Sequence, residues 1–384
     1  MLSNSDIHEL TEFRHHLHRH PEVSGEEAWT AEEIRKAMSA LNPSQLLTGL
    51  GGHGVAAVFE GAEPGPTVLF RCELDALPIE ELTGADFASE IPGKGHQCGH
   101  DGHMAILTGL GRLISRRPPA KGRIVLMYQP AEEDGSGAAL VIADPAFAAI
   151  RPDWAFSLHN FPGTPLGTFA IEAGDANCAS RGLKVVLTGH TSHASTPEFA
   201  LSPALSLARL IPRVMEMGPG SNHLDGDFRL VTVTHAKMGE EAFGITPGRA
   251  ELWMTLRCVR DEAMEDLLQA VIAAVEAEAS ATGLSAEFSH HDVFNACTND
   301  PEATARIIAA AETAGVVRCD GQFPMRGSED FGLFGSRAGA KSAMFRLGSG
   351  YETANLHNPD YMFPDAVIEP GVRLFHQVAR DLLG

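Results

Sequence analysis

Four side chains able to bind metal fall within six residues, from Cys98 to His103, in the segment Gly95-His96-Gln97-Cys98-Gly99-His100-Asp101-Gly102-His103. Thiolate and imidazole are the soft and borderline ligands that hold zinc-like ions. A polar loop with chance histidines would share this composition. The flanking glycines favour the metal reading, because they let the backbone wrap closely around an ion.

Three more segments carry matching chemistry. Gln129-Pro130-Ala131-Glu132-Glu133-Asp134 follows the apolar run 123–128. Open α/β sheets bind ligands beyond the carboxyl ends of their strands. Two adjacent glutamates there can divide the work, one coordinating metal and the other activating water; a solvated acidic turn is the plain alternative. Ser157-Leu158-His159-Asn160 again ends an apolar run, and Asn355-Leu356-His357-Asn358 lies near the C-terminus. A lone histidine is usually a structural hydrogen-bonder, but two in matching contexts reverse that preference. Cys98, His100, Glu133, His159 and His357 are too many ligands for one tetrahedral catalytic zinc that keeps an open position. They suit two ions sharing a bridging ligand and a water.

The elements that must position these residues follow from periodicity. The chain has 384 residues, which suits two domains. Residues 5–41 have helical spacing, broken at 21–25 by Pro and Gly. Runs 55–59, 67–70, 123–128 and 154–158 read as strands, with helices over 104–115 and from 138. This alternation predicts an α/β sheet with helices on both faces. Beyond residue 178 come strands at 183–188, 228–235, 251–257 and 286–291, with helices at 203–217 and 261–282. They are expected to form a compact α+β unit inserted into the first, since helix–strand alternation resumes after 292. The expected division is 1–177 with 292–384, and 178–291.

Lys and Arg number 29 against 50 Asp and Glu, a formal charge of −21. Such a surface repels a phosphate backbone, which argues against nucleic acid and anionic membrane as partners. No apolar run reaches the length of a membrane span. The start of the chain is polar and acidic, so a cytoplasmic protein is expected. The six cysteines are widely spaced and suggest no disulfide framework.

Taken in order, these motifs resemble the amidohydrolase branch of the aminoacylase and carboxypeptidase-type metallopeptidases, which includes hippurate hydrolase and the plant auxin-conjugate hydrolases. The resemblance begins at Arg14-His15-His16-Leu17-His18-Arg19-His20-Pro21-Glu22 and continues through Asp75-Ala76-Leu77-Pro78-Ile79 and the four segments above. It then takes in His190-Thr191-Ser192-His193-Ala194 and Ser328-Glu329-Asp330-Phe331. It implies a mixed-sheet metallopeptidase domain with an inserted α+β lid and dimerisation domain, and a homodimer. Cys98, His100, Glu133, His159 and His357 match the family's metal ligands, and Glu132 matches its general base. His193 matches a histidine that assists the tetrahedral intermediate, in some members from the partner subunit. The expected activity is metal-dependent hydrolysis of the amide bond of an N-acyl amino acid or related conjugate, with two divalent ions (Zn, Mn, Co or Ni). A dipeptidase or aminopeptidase on the same scaffold, or a binding protein without catalysis, are the alternatives.

The N-terminal histidines His15, His16, His18 and His20 are expected to pack and hydrogen-bond beneath the site. His103 and Asp75 are expected to orient ligands. Three departures concern substrate. Position 73, often Asp, is Glu73; Pro197 is followed by Glu198 where His is common. The usual Asn of the smaller domain's Asn-Val-Ile-Pro motif is Gly244. Arg257 is a candidate for the substrate carboxylate and equally for a structural salt bridge.

Overall fold

The computed structural model describes all 384 residues. Its packing divides the chain into two units, Met1–Ala176 with Thr298–Gln322 and Asp330–Gly384, and Asn177–Cys297 with Phe323–Glu329.

The first unit is built on a seven-stranded mixed sheet. Its strand order is Gln45–Leu50, Gly54–Glu60, Lys121–Gln129, Glu63–Glu73, Trp154–Phe161, Lys341–Gly348, Phe169–Ala170. The four strands from Lys121–Gln129 to Lys341–Gly348 run parallel, and the flanking pairs are antiparallel. Parallel strands are covered on both faces, so their sequences read as continuous apolar runs. Val68, Phe70 and Cys72 alternate onto one face with Ile124, Leu126, Phe156 and Phe345. There they meet Leu107 and Leu110 of the helix His100–Arg116 and Val372 and Phe375 of Ile368–Leu383. Short helices Gly137–Ala143 and Gly332–Ser336 pack together and against Lys121–Gln129 and Lys341–Gly348 respectively.

Two elements differ from their sequence-based forms. Gln45–Leu50 is an edge strand that periodicity missed, because its exposure does not alternate and only pairing with Gly54–Glu60 defines it. The helix expected over 104–115 begins at His100, since Gly99 turns the chain with φ 89° at its N-cap.

The second unit is a four-stranded antiparallel sheet ordered Arg229–Met238, Arg249–Cys258, Ala179–Thr188, Ser285–Phe294. Helices Ala204–Met217 and Asp261–Thr282 cover one face, burying Leu210, Val214, Leu268 and Val271 against Leu183, Val185, Leu252 and Met254. The segment Phe323–Glu329 joins this unit through Cys178 N–H to the Met325 carbonyl (2.9 Å) and Arg257 Nη1 to the Arg326 carbonyl (2.9 Å). No helix is long and apolar enough to cross a membrane.

Candidate metal centre

The parallel strands bring their carboxyl ends to one rim of the first unit. Trp154–Phe161 carries His159 near its end. Lys121–Gln129 leads directly into the loop with Glu132 and Glu133. Glu63–Glu73 leads to Asp75 and on to the loop before His100. His100 sits in the first turn of its helix, one residue after Gly99. A Cβ at Gly99 would lie 2.8 Å from the Asn160 carboxamide. Both the positive φ and the lack of space require glycine between Cys98 and His100.

Cys98 Sγ lies 3.4 Å from His159 Nε2. His100 Nε2 lies 3.7 Å from Glu133 Oε1 and 3.9 Å from Glu132 Oε2. The other oxygen of Glu133 lies 3.6 Å from His357 Nε2. Donor atoms of Cys98, His100 and His159 form one compact group, and those of Cys98, Glu133 and His357 form another. Cys98 is common to both. Ligands about 2.0–2.3 Å from a tetrahedral ion sit roughly 3.3–3.8 Å from one another, and the Cys98–His159 separation in the first group and the Glu133–His357 separation in the second both fall in that interval. The five ligand candidates and Glu132 all belong to the first unit.

The orientation of the rings fits the same purpose. His100 Nδ1 donates to the Asp75 carbonyl at 2.9 Å, which turns Nε2 toward the cluster; that nitrogen is buried and has no hydrogen-bond partner. His159 Nδ1 donates to the Asn160 carbonyl at 2.8 Å, which aims Nε2 at Cys98 Sγ, 3.4 Å away. A buried imidazole nitrogen without a partner costs free energy that a cation would offset. Burial pushes His159 down to about 3, and the neighbouring imidazoles of His103 and His100 add to this. Burial also disfavours a charge on His100, but the hydrogen bond to Asp75 and the charges of Glu73 and Glu133 outweigh it and raise the pKa to about 10. The carboxylates that favour a proton on His100 would favour a bound cation in the same place. The donor set and its spacing fit a pair of divalent ions.

Exposure rises across the centre. Glu132 is buried, the Glu133 side chain is 12% exposed, and that of His357 is 50% exposed. A small molecule can approach from the His357 side. Ala131 (φ 51°) and His357 (φ 65°) are two of only four non-glycine residues with positive φ. Strained backbone held at two site residues is the pattern expected where side-chain aim matters more than local stability.

The other candidates take different places. His103 Nδ1 lies 2.6 Å from Glu73 Oε2, and its Nε2 meets Asn160. His18 lies 2.8 Å from Asp101 and 3.3 Å from Glu81, beside the Arg14–Asp101 ion pair. His15 pairs with Asp365, and His16 with Glu33. These side chains serve packing and hydrogen bonding.

His193 and Arg257 lie in the second unit. His193 pairs with Ile245 in a two-stranded ribbon, and its Nδ1 accepts the Ser195 N–H at 3.1 Å. Its Nε2 is thereby left to donate. Arg257 donates to the Arg326 carbonyl and to Ser328 Oγ, both at 2.9 Å. These partners are neutral, and burial lowers its pKa.

Sequence reasoning missed a buried network behind the ligands. Arg71 contacts Glu73, donates to Gln129 Oε1 (2.9 Å) and pairs with Asp330 (2.6 Å). Burial opposes the charge on Glu73, but Arg71 and His103 hold it well below the usual carboxylate range. The available signal was an arginine inside an apolar strand, which needs carboxylate partners.

Residues 69–381 match the family described as peptidase family M20/M25/M40. An N-acetyl-L-cysteine deacetylase of Bacillus subtilis (strain 168) is 30% identical over 381 residues, covering 98% of this chain and 88% of its own. A hippurate hydrolase of Campylobacter jejuni is 26% identical, covering 97% and 96%. Among solved structures, a Bacillus subtilis protein described as a dinuclear metal-binding peptidase from the M20 family superposes with TM-score 0.82 and 25% identity. The match covers 100% of this chain and 99% of that one.

Proposed function

We propose that this chain, which belongs to the peptidase family M20/M25/M40, is a two-metal amidohydrolase that cleaves the amide bond of a small N-acyl amino acid or related conjugate. The observation that carries the reading is the spacing of Cys98, His100, Glu133, His159 and His357 around two overlapping ligand groups, with the Glu132 carboxylate beside them. Relatives named as deacetylases and as hippurate hydrolase point to the same bond.

Cys98, His100 and His159 would hold one ion, and Cys98, Glu133 and His357 the other. When bound, the ions supply Lewis acidity, lowering the pKa of water and polarising the amide carbonyl. Glu132 takes the proton of the attacking water and delivers it to the leaving amine nitrogen. His193 Nε2–H donates to the oxygen that gains charge in the tetrahedral intermediate, a type of contact worth about 3–4 kcal/mol. Arg257 serves the carboxylate of the amino-acid portion. A thiol ligand favours zinc, with manganese, cobalt and nickel as the other candidates. The reading extends to a homodimer through the Asn177–Cys297 unit as lid and dimerisation domain, and to the cytoplasm. A reducing compartment suits six free cysteines.

The test is hydrolysis of a panel of N-acyl amino acids and free dipeptides, with the full chain reconstituted in each metal. Turnover of acyl amino acids that a chelator abolishes and metal restores is expected. Turnover of free dipeptides alone would replace this reading with a dipeptidase.

A further inference from the structure

The polar groups behind the candidate ligands converge on a residue that the proton transfers do not use. Asn160 is completely buried. Its carbonyl accepts His159 Nδ1–H at 2.8 Å, which aims His159 Nε2 toward Cys98 Sγ. Its own N–H lies 3.2 Å from His103 Nε2, and its Oδ1 meets the same nitrogen. Its Nδ2 donates to the Tyr361 hydroxyl. The Tyr361 N–H in turn bonds the Asn358 carbonyl at 3.0 Å, in the turn that carries His357. The Asn160 carboxamide also fills the space beside Gly99, between Cys98 and His100.

Each contact alone would be ordinary satisfaction of a buried amide. Their sum is more specific. The main chain at 160 is held in the strand ladder opposite Leu347, and its carbonyl sets the ring and tautomer of His159 whatever the side chain; the carboxamide is what asparagine adds. The carboxamide separates and supports three segments far apart in sequence: the loop 98–100, the strand end at 159 and the turn 357–361.

We propose that Asn160 is the positioning residue of the metal centre, setting the mutual spacing of Cys98, His159 and His357. The inference rests on the reading of those residues as ligands. Groups that orient ligands commonly change metal affinity by roughly 10- to 100-fold when removed.

Cobalt(II) titrated into the full wild-type chain, followed by its thiolate-to-metal absorption, provides the reference. Asn160→Ala is expected to bind cobalt at least tenfold more weakly and to show a shifted spectrum at saturating metal, a change that mere loss of stability would not produce. Wild-type affinity and spectrum in that variant would overturn the role of Asn160 and leave the ligand reading intact. No cobalt binding by the wild-type chain would overturn both. Should Asn160→Ala fail to fold, Tyr361→Phe decides: it removes a single hydroxyl, and a spectrum shifted from that of the wild-type chain is expected. An unchanged spectrum there overturns the proposal.

Discussion

His100 Nδ1 donates to the main-chain carbonyl of Asp75 across 2.9 Å, and the Asp75 carboxylate lies 3.4 Å from the same nitrogen. That carboxylate also accepts the Glu133 N–H at 2.9 Å and the Ser24 hydroxyl at 2.7 Å. Asp75 thus orients a ligand from each of the two groups. Asp75→Ala should weaken divalent-metal binding by roughly 10- to 100-fold, read by competition with a chromophoric chelator. Affinity within twofold of wild type would show that the helix and loop aim His100 and Glu133 unaided.

Glu132 stands 3.9 Å from His100 Nε2, and the loop residue before it is held by a bond from Ala131 N–H to Glu27 (2.8 Å). The carboxylate is fixed near the cluster without being needed to complete either ligand group. Glu132→Gln keeps the shape and removes the base. Metal stoichiometry should stay at the wild-type value, while kcat falls roughly 10²- to 10⁴-fold. A variant that keeps wild-type turnover would exclude Glu132 as the proton carrier.

The ligand candidates were legible because each lies in a short, chemically unusual segment. Cys98 and His100 flank a glycine, and Glu132, Glu133 and His159 follow apolar runs that had to be buried strands. The supports were not legible. Arg71 finds Gln129 and Asp330 at 58 and 259 positions away along the chain, and no local pattern encodes such pairings. Tyr361 and the spacer role of Asn160 were hidden for the same reason. Gln45–Leu50 escaped notice because an edge strand with irregular exposure lacks the two-residue period. The smaller unit extends past 178–291 to residues 177 and 297 and takes in residues 323–329, which join it by main-chain and arginine hydrogen bonds.

Gly99 combines φ 89° with contact against Asn160. Gly99→Ala would force either the backbone out of the left-handed region or the carboxamide out of place. Destabilisation of at least about 1 kcal/mol is expected, read as the shift of the denaturant midpoint at constant slope. Metal affinity should fall with it, since Cys98 and His100 flank the turn. Wild-type stability would show that the loop relaxes freely.

His18 supplies a pH dependence. Burial opposes its charge, yet the Asp101 carboxylate, with hydrogen bonds to Asp101 and Glu81, raises its pKa to about 9 from the usual 6.5. A raised pKa favours the folded state most fully below 6.5, and that contribution disappears as pH rises through about 9. At full effect it is at most about 3 kcal/mol. His18→Gln should therefore flatten the stability profile between pH 6.5 and 9 relative to wild type in denaturant unfolding. Parallel profiles for the two proteins would show that Arg14 alone balances Asp101.

His193 belongs to the second unit and is exposed, with Nδ1 occupied by the Ser195 N–H and hydroxyl. The tautomer that results carries its proton on Nε2, which suits a donor to an oxyanion and does not suit a metal ligand. His193→Ala should lower kcat by roughly 10²- to 10³-fold while metal stoichiometry and affinity stay unchanged. Equal loss of metal affinity would reassign His193 to the ligand set. Unchanged kcat would remove the second unit's ribbon from the chemistry and restrict its part to binding or assembly.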